Sequence, residues 1–422
     1  MSVRKLVEVH IIQNFAPSNL NRDDTGSPKD AIFGGYRRAR ISSQCLKRAI
    51  REFVRENHVG QGKLIPENVL SKRTRLWFEE LANIFMEHTD SREKALQAAE
   101  AALVPLGLFV VKEGDPESER FRTEYLVPIG KGAVEHLIGL VIENLDKFVA
   151  AGAEISNLRD NNYAEPPKKS LKKQIVRTCK SVLGNDLFKR IQDSLLGQDK
   201  GLTPVEKAVD IALFGRMLAD LPAKNVDAAC QVAHAISTHR IEREFDFYTA
   251  VDDLNPAEET GAGMMGTVEF TSACFYRYAV VDLEKLVENL GGDVELALKG
   301  LEASLRASIY AVPSGKQNSF AAYNPPSFVA FVVRENASPR SLANAFERPV
   351  RAQGEKSLTQ ASVESLDREW QKLDGAYGNG GHVYYLDLTD AEVEHLAKFE
   401  KVKDADNLIE RTVATAGILL KG

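Results

Sequence analysis

The chain has 422 residues, 44% of them hydrophobic, and carries 54 lysines and arginines against 60 aspartates and glutamates, a formal net charge of -6. That length gives room for one large domain with insertions or for two to three ordinary ones, and the acidic sum weighs against a uniformly basic nucleic-acid binder. No apolar run approaches the roughly 18 to 20 residues of a membrane span, and the N-terminus MSVRKLVEVHII lacks a signal-peptide core, so a soluble cytoplasmic protein is expected.

The four cysteines, Cys45, Cys179, Cys230 and Cys274, are far apart and form no C-x-x-C pair. Neither a disulfide framework nor a zinc ribbon is suggested. His234 and His239 are five residues apart, which does not align them on one helix face, and no H-E-x-x-H occurs. No metal and no cofactor is expected.

LVEVHIIQNF, bounded by APSN, reads as a buried first strand. Residues 21 to 41 follow as a loop too polar and too broken to form an element. ISSQCLKRAIREFVREN then opens a helix capped by Ser42 or Ser43, with Leu46, Ala49, Ile50 and Phe53 on its apolar face. Lys47, Arg51 and Arg55, at i, i+4 and i+8, form a basic stripe roughly opposite that face.

Residues 60 to 200 have the uneven Leu/Ala/Glu texture of an inserted helical subdomain, interrupted by the basic PPKKSLKKQIVRTCK. Strands are expected to resume at VDIALFGRM (209 to 217). TVEFTSACFYRYAVVDL reads as a strand, 283 to 310 as a helix pair joined at NLGGD, and FVAFVV as the last strand of the core. Strand, helix, strand, strand, helix, strand is the order of a split β-α-β, or ferredoxin-like, α+β core.

Several segments carry chemistry. GAGMMG (261 to 266) matches the dinucleotide fingerprint, but an acidic loop precedes it and a strand follows, so it reads as a return into that strand. In IFGGYRRAR, Gly34 and Gly35 allow close backbone approach while Arg37, Arg38 and Arg40 supply charge, just before a helix N-terminus. With Ser42, Gln44, Lys47 and Arg51 this makes a phosphate-binding strip; the same residues also read as a solvated basic face with ordinary turn glycines. SGKQNSF reads by itself as a turn with a lysine. Phe245, Phe247 and Tyr248 fit either the core of an insertion or a surface that stacks against bases. Asp23 and Asp24 suit acid/base or metal chemistry, and equally a turn and cap.

LNRDD, KDAIFGG, RRARISSQCLKRAIR, DIALFGRM, AHAISTH, FYTAVDDL, GTVEFTSACFYRYA, NLGG, GKQNSFAAYNPPS and ANAFERPV, running in order from residue 8 to about 350, resemble the CasC-type backbone subunit of the type I-E CRISPR Cascade complex. Residues 55 to 205 are similar only in helical character. The resemblance implies an RRM-like palm (1–57 and 205–350), a helical fingers insertion (58–204), an extended thumb (217–266) and a palm-associated helical and strand segment (351–422). It implies copies stacking into a helical filament along a CRISPR RNA, within a ribonucleoprotein of antiviral defense. Other partners would be target DNA and subunits of the CasA, CasB, CasD and CasE types.

On this resemblance Arg22, Lys29, Arg40, Ser42, Gln44, Lys47, Arg48 and Arg51 would contact guide phosphates, with Lys316 and Gln317 closing from the other side. Met217, Phe247 and Tyr248 would form the thumb wedge that kinks the guide. The family often has Trp-Phe where this chain has Phe247-Tyr248. No catalysis is expected. The alternative is a type III-like backbone subunit that cleaves target RNA with Asp23 or Asp24.

Overall fold

The computed structural model describes residues 4–56, 63–112, 120–160, 163–196, 208–218, 222, 225–250, 264–378 and 381–421. The chain divides into two compact units, one of residues 1–64, 230–285 and 298–422, the other of 65–229 and 286–297. Residues 205–229, expected with the palm, cluster with the helical unit.

In chain order, the long strand β1 (Lys5–Ser18) leads into β2 (Asp30–Phe33), β3 (Tyr36–Ile41) and the helix α1 (Ser43–Glu56). The second unit then contributes β4 (Ser71–Thr74), α2 (Trp77–Phe85), α3 (Arg92–Leu103), β5 (Val110–Lys112), β6 (Phe121–Thr123) and β7 (Val127–Gly130). It continues through α4 (Lys131–Glu143), α5 (Leu145–Leu158), α6 (Lys169–Leu183), α7 (Asn185–Leu196) and α8 (Val209–Phe214). Back in the first unit come β8 (Cys230–Val232), β9 (Ala235–Ser237), β10 (Glu244–Ala250) and β11 (Met264–Asp282). There follow α9 (Leu283–Asn289), α10 (Val294–Tyr310), α11 (Gln317–Phe320), β12 (Phe328–Glu335), α12 (Leu358–Tyr377), β13 (Gly381–Asp387), β14 (Glu400–Lys401) and α13 (Ala405–Lys421).

The first unit is built on one ten-stranded sheet of order β14-β13-β12-β1-β11-β9-β3-β2, with β8 and β10 also paired to β11. β1 lies at its centre, antiparallel to both β11 and β12, and is buried along most of its length. Its even-numbered Ile12 joins Tyr276, Phe328, Ala330 and Val332 under the α12 residues Val363, Leu366 and Trp370. The opposite alternation puts Phe15 with Phe275, Ala39, Ile41, Ala235 and, from α1, Leu46. Period-2 side-chain alternation thus gives each face of the sheet its own apolar cluster. Polar groups at the centre are paired: Glu8 holds Arg334 and accepts from the Tyr278 hydroxyl at 2.9 Å. His10 meets the Tyr276 hydroxyl at 2.9 Å, and burial lowers its pKa to about 4.

The second unit packs α2 to α7 around Phe85, Phe148, Ile155, Cys179 and the alanine face of α3, with two small sheets, β4–β7 and β5–β6. No helix among the described residues is long and apolar enough to cross a membrane.

Two expectations are corrected. VDIALFGRM is not a strand: Val209–Phe214 is the helix α8, anchored where the Asp210 carboxylate accepts from the Ser71 amide and hydroxyl at 2.8 and 2.5 Å. A six-residue, mostly apolar segment does not distinguish helix from strand, and this tertiary contact, 139 residues apart, decides it. Residues 30 to 41 are not loop but the β2–β3 hairpin, because β3 finds its inner partner, β9, almost 200 residues later.

Candidate nucleic-acid interface

The hairpin turn explains the paired glycines. Phe33 pairs with Tyr36, leaving Gly34 and Gly35 as a two-residue connection with φ of 59° and 82°. Positive φ at both positions is the requirement of a type I′ turn. A Cβ on Gly34 would lie 1.9 Å from the Glu347 carbonyl oxygen, whereas one on Gly35 would meet nothing within 4 Å. The close approach that Gly34 permits is therefore to the protein's own Glu347.

The three arginines diverge. Arg38 is fully buried and donates to the carbonyls of Ser237, Phe346 and Glu347 at 3.0, 2.7 and 3.2 Å. Arg37 pairs with Asp30, whose carboxylate also takes Arg243 at 2.8 Å. Burial raises the Asp30 pKa, but the bonds from Arg37 and Arg243 outweigh it and hold the carboxyl below its ordinary range. Arg40, half-buried, has no ion pair among the described residues. Its Nε donates to the Asp30 carbonyl and its Nη1 meets His234 Nδ1, each at 3.1 Å.

α1 continues from there. Its buried side is Leu46, Ala49, Ile50 and Val54, and Phe53, expected in the core, instead stacks half-buried on Tyr310 with ring centroids 6.4 Å apart. Ser42 is buried, its hydroxyl accepting from the Cys45 amide at 3.3 Å as an N-cap and its own amide donating to Asn21 Oδ1 at 2.8 Å. That hydroxyl is occupied by the helix start, while Gln44 is exposed beside it. Lys47 lies near β8, where its charge acts on the Cys230 thiol. Arg48 pairs with Glu52 one turn on at 2.7 Å.

A cleft of about 590 Å³ lies beside the start of α1, lined by Arg22, Asp23, Asp24, Arg48 and the loop Ser314–Lys316. Gly315 must be glycine, because a Cβ there would be 2.3 Å from the Leu20 carbonyl oxygen. Lys316, at φ 52°, thus faces the same cleft as Arg22 and Arg48. Gln317 does not accompany it: the side chain is buried and its amide donates to the carbonyls of Pro313 and Ala322 at 3.0 and 3.3 Å.

Asp23 is a turn residue. One carboxylate oxygen accepts from the Thr25 amide, the Thr25 hydroxyl and the Ser27 amide at 2.9, 2.7 and 3.0 Å. These bonds, led by the hydroxyl, hold its pKa below the usual value, which suits a carboxylate and not a proton donor. Asp24 is exposed in the same cleft. Among the described residues no group of three or more His, Cys, Asp or Glu is placed to hold a metal ion.

The aromatic residues sit on the β10–β11 hairpin, but strand alternation parts Phe247 from Tyr248. Phe247, opposite Thr267, shares its face with Phe245 and Met265, and these three are 65%, 65% and 67% exposed. Tyr248 lies on the other face over Gly266, where a Cβ would come within 2.5 Å of its ring. Met217 belongs to the second unit and is 84% exposed. Nothing in the sequence marks His234 or Met265 as residues of this surface. Met265 was hidden inside a glycine motif, and nothing local ties His234 to Arg40.

Among curated proteins there is no significant match. Among solved structures, a chain described as "CRISPR RNA-guided surveillance complex, pre-nicking" is 30% identical, with a TM-score of 0.75 over 97% of this chain and 100% of that one. A second, described as "CRISPR RNA-guided surveillance complex", is 26% identical, with a TM-score of 0.57 over 97% of this chain and 99% of that one. The likeness extends past residue 350 into the C-terminal helices, where the quoted motifs had stopped. Matched over residues 7–414, the chain belongs to the CT1975-like protein family.

Proposed function

We propose that this chain is a non-catalytic, RNA-binding backbone subunit of a Cascade-type CRISPR RNA-guided surveillance complex, of the CasC kind found in type I-E systems. The observation that carries the reading is the basic surface of the first unit. β3, α1 and the 314–316 loop present Arg40, Lys47 and Lys316 beside Lys29, Arg22 and Arg48, in a chain whose net charge is -6. Charge concentrated against the overall sum, on a surface of phosphate-sized donors, suits a backbone that must hold any guide sequence. Arg51 extends the stripe along α1, and Gln44 adds an exposed amide. The buried hydroxyl of Ser42 and the buried amide of Gln317 leave those two residues with positioning roles.

The β12-β1-β11 order, with β8 and β9 beyond β11, supports an RRM-like palm, and the helical unit supports the fingers. Phe245, Phe247 and Met265 supply an apolar thumb surface for parting bases, with Tyr248 stiffening the hairpin from behind. Copies of the chain would lie along one CRISPR RNA and present it to target DNA, beside CasA-, CasB-, CasD- and CasE-type subunits. The basic helix α6 adds charge for duplex DNA at the fingers.

The test is purification. The wild-type chain co-purifies with RNA and forms oligomers, and Lys47→Glu with Arg51→Glu releases the RNA; an RNA-free monomer from cells carrying the guide would overturn the reading. The type III-like alternative requires Asp23 or Asp24 to act on a target 2′-OH. With Asp23 committed to its turn, the assembled complex is expected to leave complementary RNA uncut in the presence of Mg²⁺.

A further inference from the structure

Arg40 has no carboxylate partner among the described residues. The Asp30 carboxylate is taken by Arg37 and Arg243, and Asp30 offers Arg40 its backbone carbonyl. The guanidinium donates and cannot accept, so the His234 nitrogen it meets at 3.1 Å must present a lone pair. That fixes the ring as the tautomer with Nδ1 bare and the proton on Nε2. Burial first, then the charges of Arg40 and Lys29, hold the imidazole below its ordinary pKa of 6.5, which keeps it neutral at pH 7. Lys29 is held beside Arg40 by the bond from the Arg40 amide to the Lys29 carbonyl at 2.9 Å. The result is three donors, an ammonium whose charge reaches His234, the remaining guanidinium N–H groups and Nε2–H, with no ion pair to Lys29 or Arg40 among the described residues.

We infer that Lys29, Arg40 and His234 form one phosphodiester-binding site, in which His234 both orients the Arg40 guanidinium and donates from Nε2 to a phosphate oxygen. The site rests on the RNA-scaffold reading and deepens it. His234 is a neutral partner: it adds a hydrogen bond and a fixed direction without adding a counterion to be released. Arg40 supplies the charge. The division of labour is measurable, because salt dependence counts ionic contacts whereas affinity counts all of them.

The experiment uses the full-length chain, stripped of RNA, and a fluorescein-labelled 30-nucleotide RNA of arbitrary sequence, with anisotropy read across a NaCl series. His234→Ala is expected to weaken binding about tenfold, the scale of one charge-assisted hydrogen bond, with the salt slope unchanged. Arg40→Ala weakens binding and also lowers the slope by about 0.7, the loss of one phosphate contact on a single strand. The double variant falls short of the summed effects, because His234 acts through Arg40. His234→Asn, which keeps an acceptor where Nδ1 stood, recovers much of the loss, and it carries the test if the alanine variant does not fold. Wild-type affinity in His234→Ala, or strictly additive effects with Arg40→Ala, would overturn the assignment of His234 while leaving the scaffold reading intact. A wild-type chain that binds no RNA overturns both.

Discussion

The β2–β3 and β10–β11 hairpins use the same secondary structure in opposite ways. In the first, nearly every special residue answers to the protein's own interior: Gly34 makes room for Glu347, Arg38 closes three carbonyls, and Arg37 and Asp30 pair. Arg40, half-buried, is the arginine of the three that meets no carboxylate among the described residues, and it is joined by His234. In the second, Phe245, Phe247 and Met265 share one face of the strand pair and are each about two-thirds exposed. Buried polar groups must be satisfied internally, whereas an exposed apolar cluster marks a surface used with something else. A run of arginines is therefore a poorer guide to a binding surface than a row of exposed aromatics.

That contrast is sharpened most by Arg38→Ala. It strands the carbonyls of Ser237, Phe346 and Glu347, and is expected to cost roughly 3 to 5 kcal/mol in urea unfolding, at about one to a few kcal/mol per unsatisfied group. Gly34→Ala comes next, at about 2 to 3 kcal/mol, since it combines a left-handed conformation with a backbone collision. Gly35→Ala, with the same sign of φ and open space around it, costs about 1 kcal/mol. Equal losses at the two glycines would break the account of the turn.

The smallest stability effect is expected at the other hairpin. Phe245→Ser with Phe247→Ser removes exposed side chains and changes unfolding by about 0.5 kcal/mol or less, while RNA-dependent oligomerisation, read by light scattering, declines. A large loss of stability there would mean that the aromatic face belongs to the core, and the comparison of the two hairpins would fail.

Much of the frame was legible in the chain. The β1 strand and α1 with its basic stripe follow from hydrophobic pattern, β11 from its β-branched and aromatic content, and the helical insertion from its Leu/Ala/Glu texture. The motifs of the family resemblance supplied the rest of the functional expectation. What failed was short or polar: α8 read as a strand, and the β2–β3 hairpin read as a loop. Each is stabilised by a partner far along the chain, Ser71 for Asp210 and β9 for β3.

The candidate site divides the same way. Residue type and spacing determined that positive charge collects around α1 and that aromatics collect near residue 247. Tertiary structure alone decided which of those groups remain available. Arg38, Ser42 and Gln317 are drawn into hydrogen bonds with distant or looping backbone, and Tyr248 turns away from Phe247 because adjacent strand residues face opposite sides. His234 becomes a site residue only because β9 places it against Arg40, 194 residues earlier. A sequence records donors and acceptors one at a time; which of them are spent on each other is settled by packing.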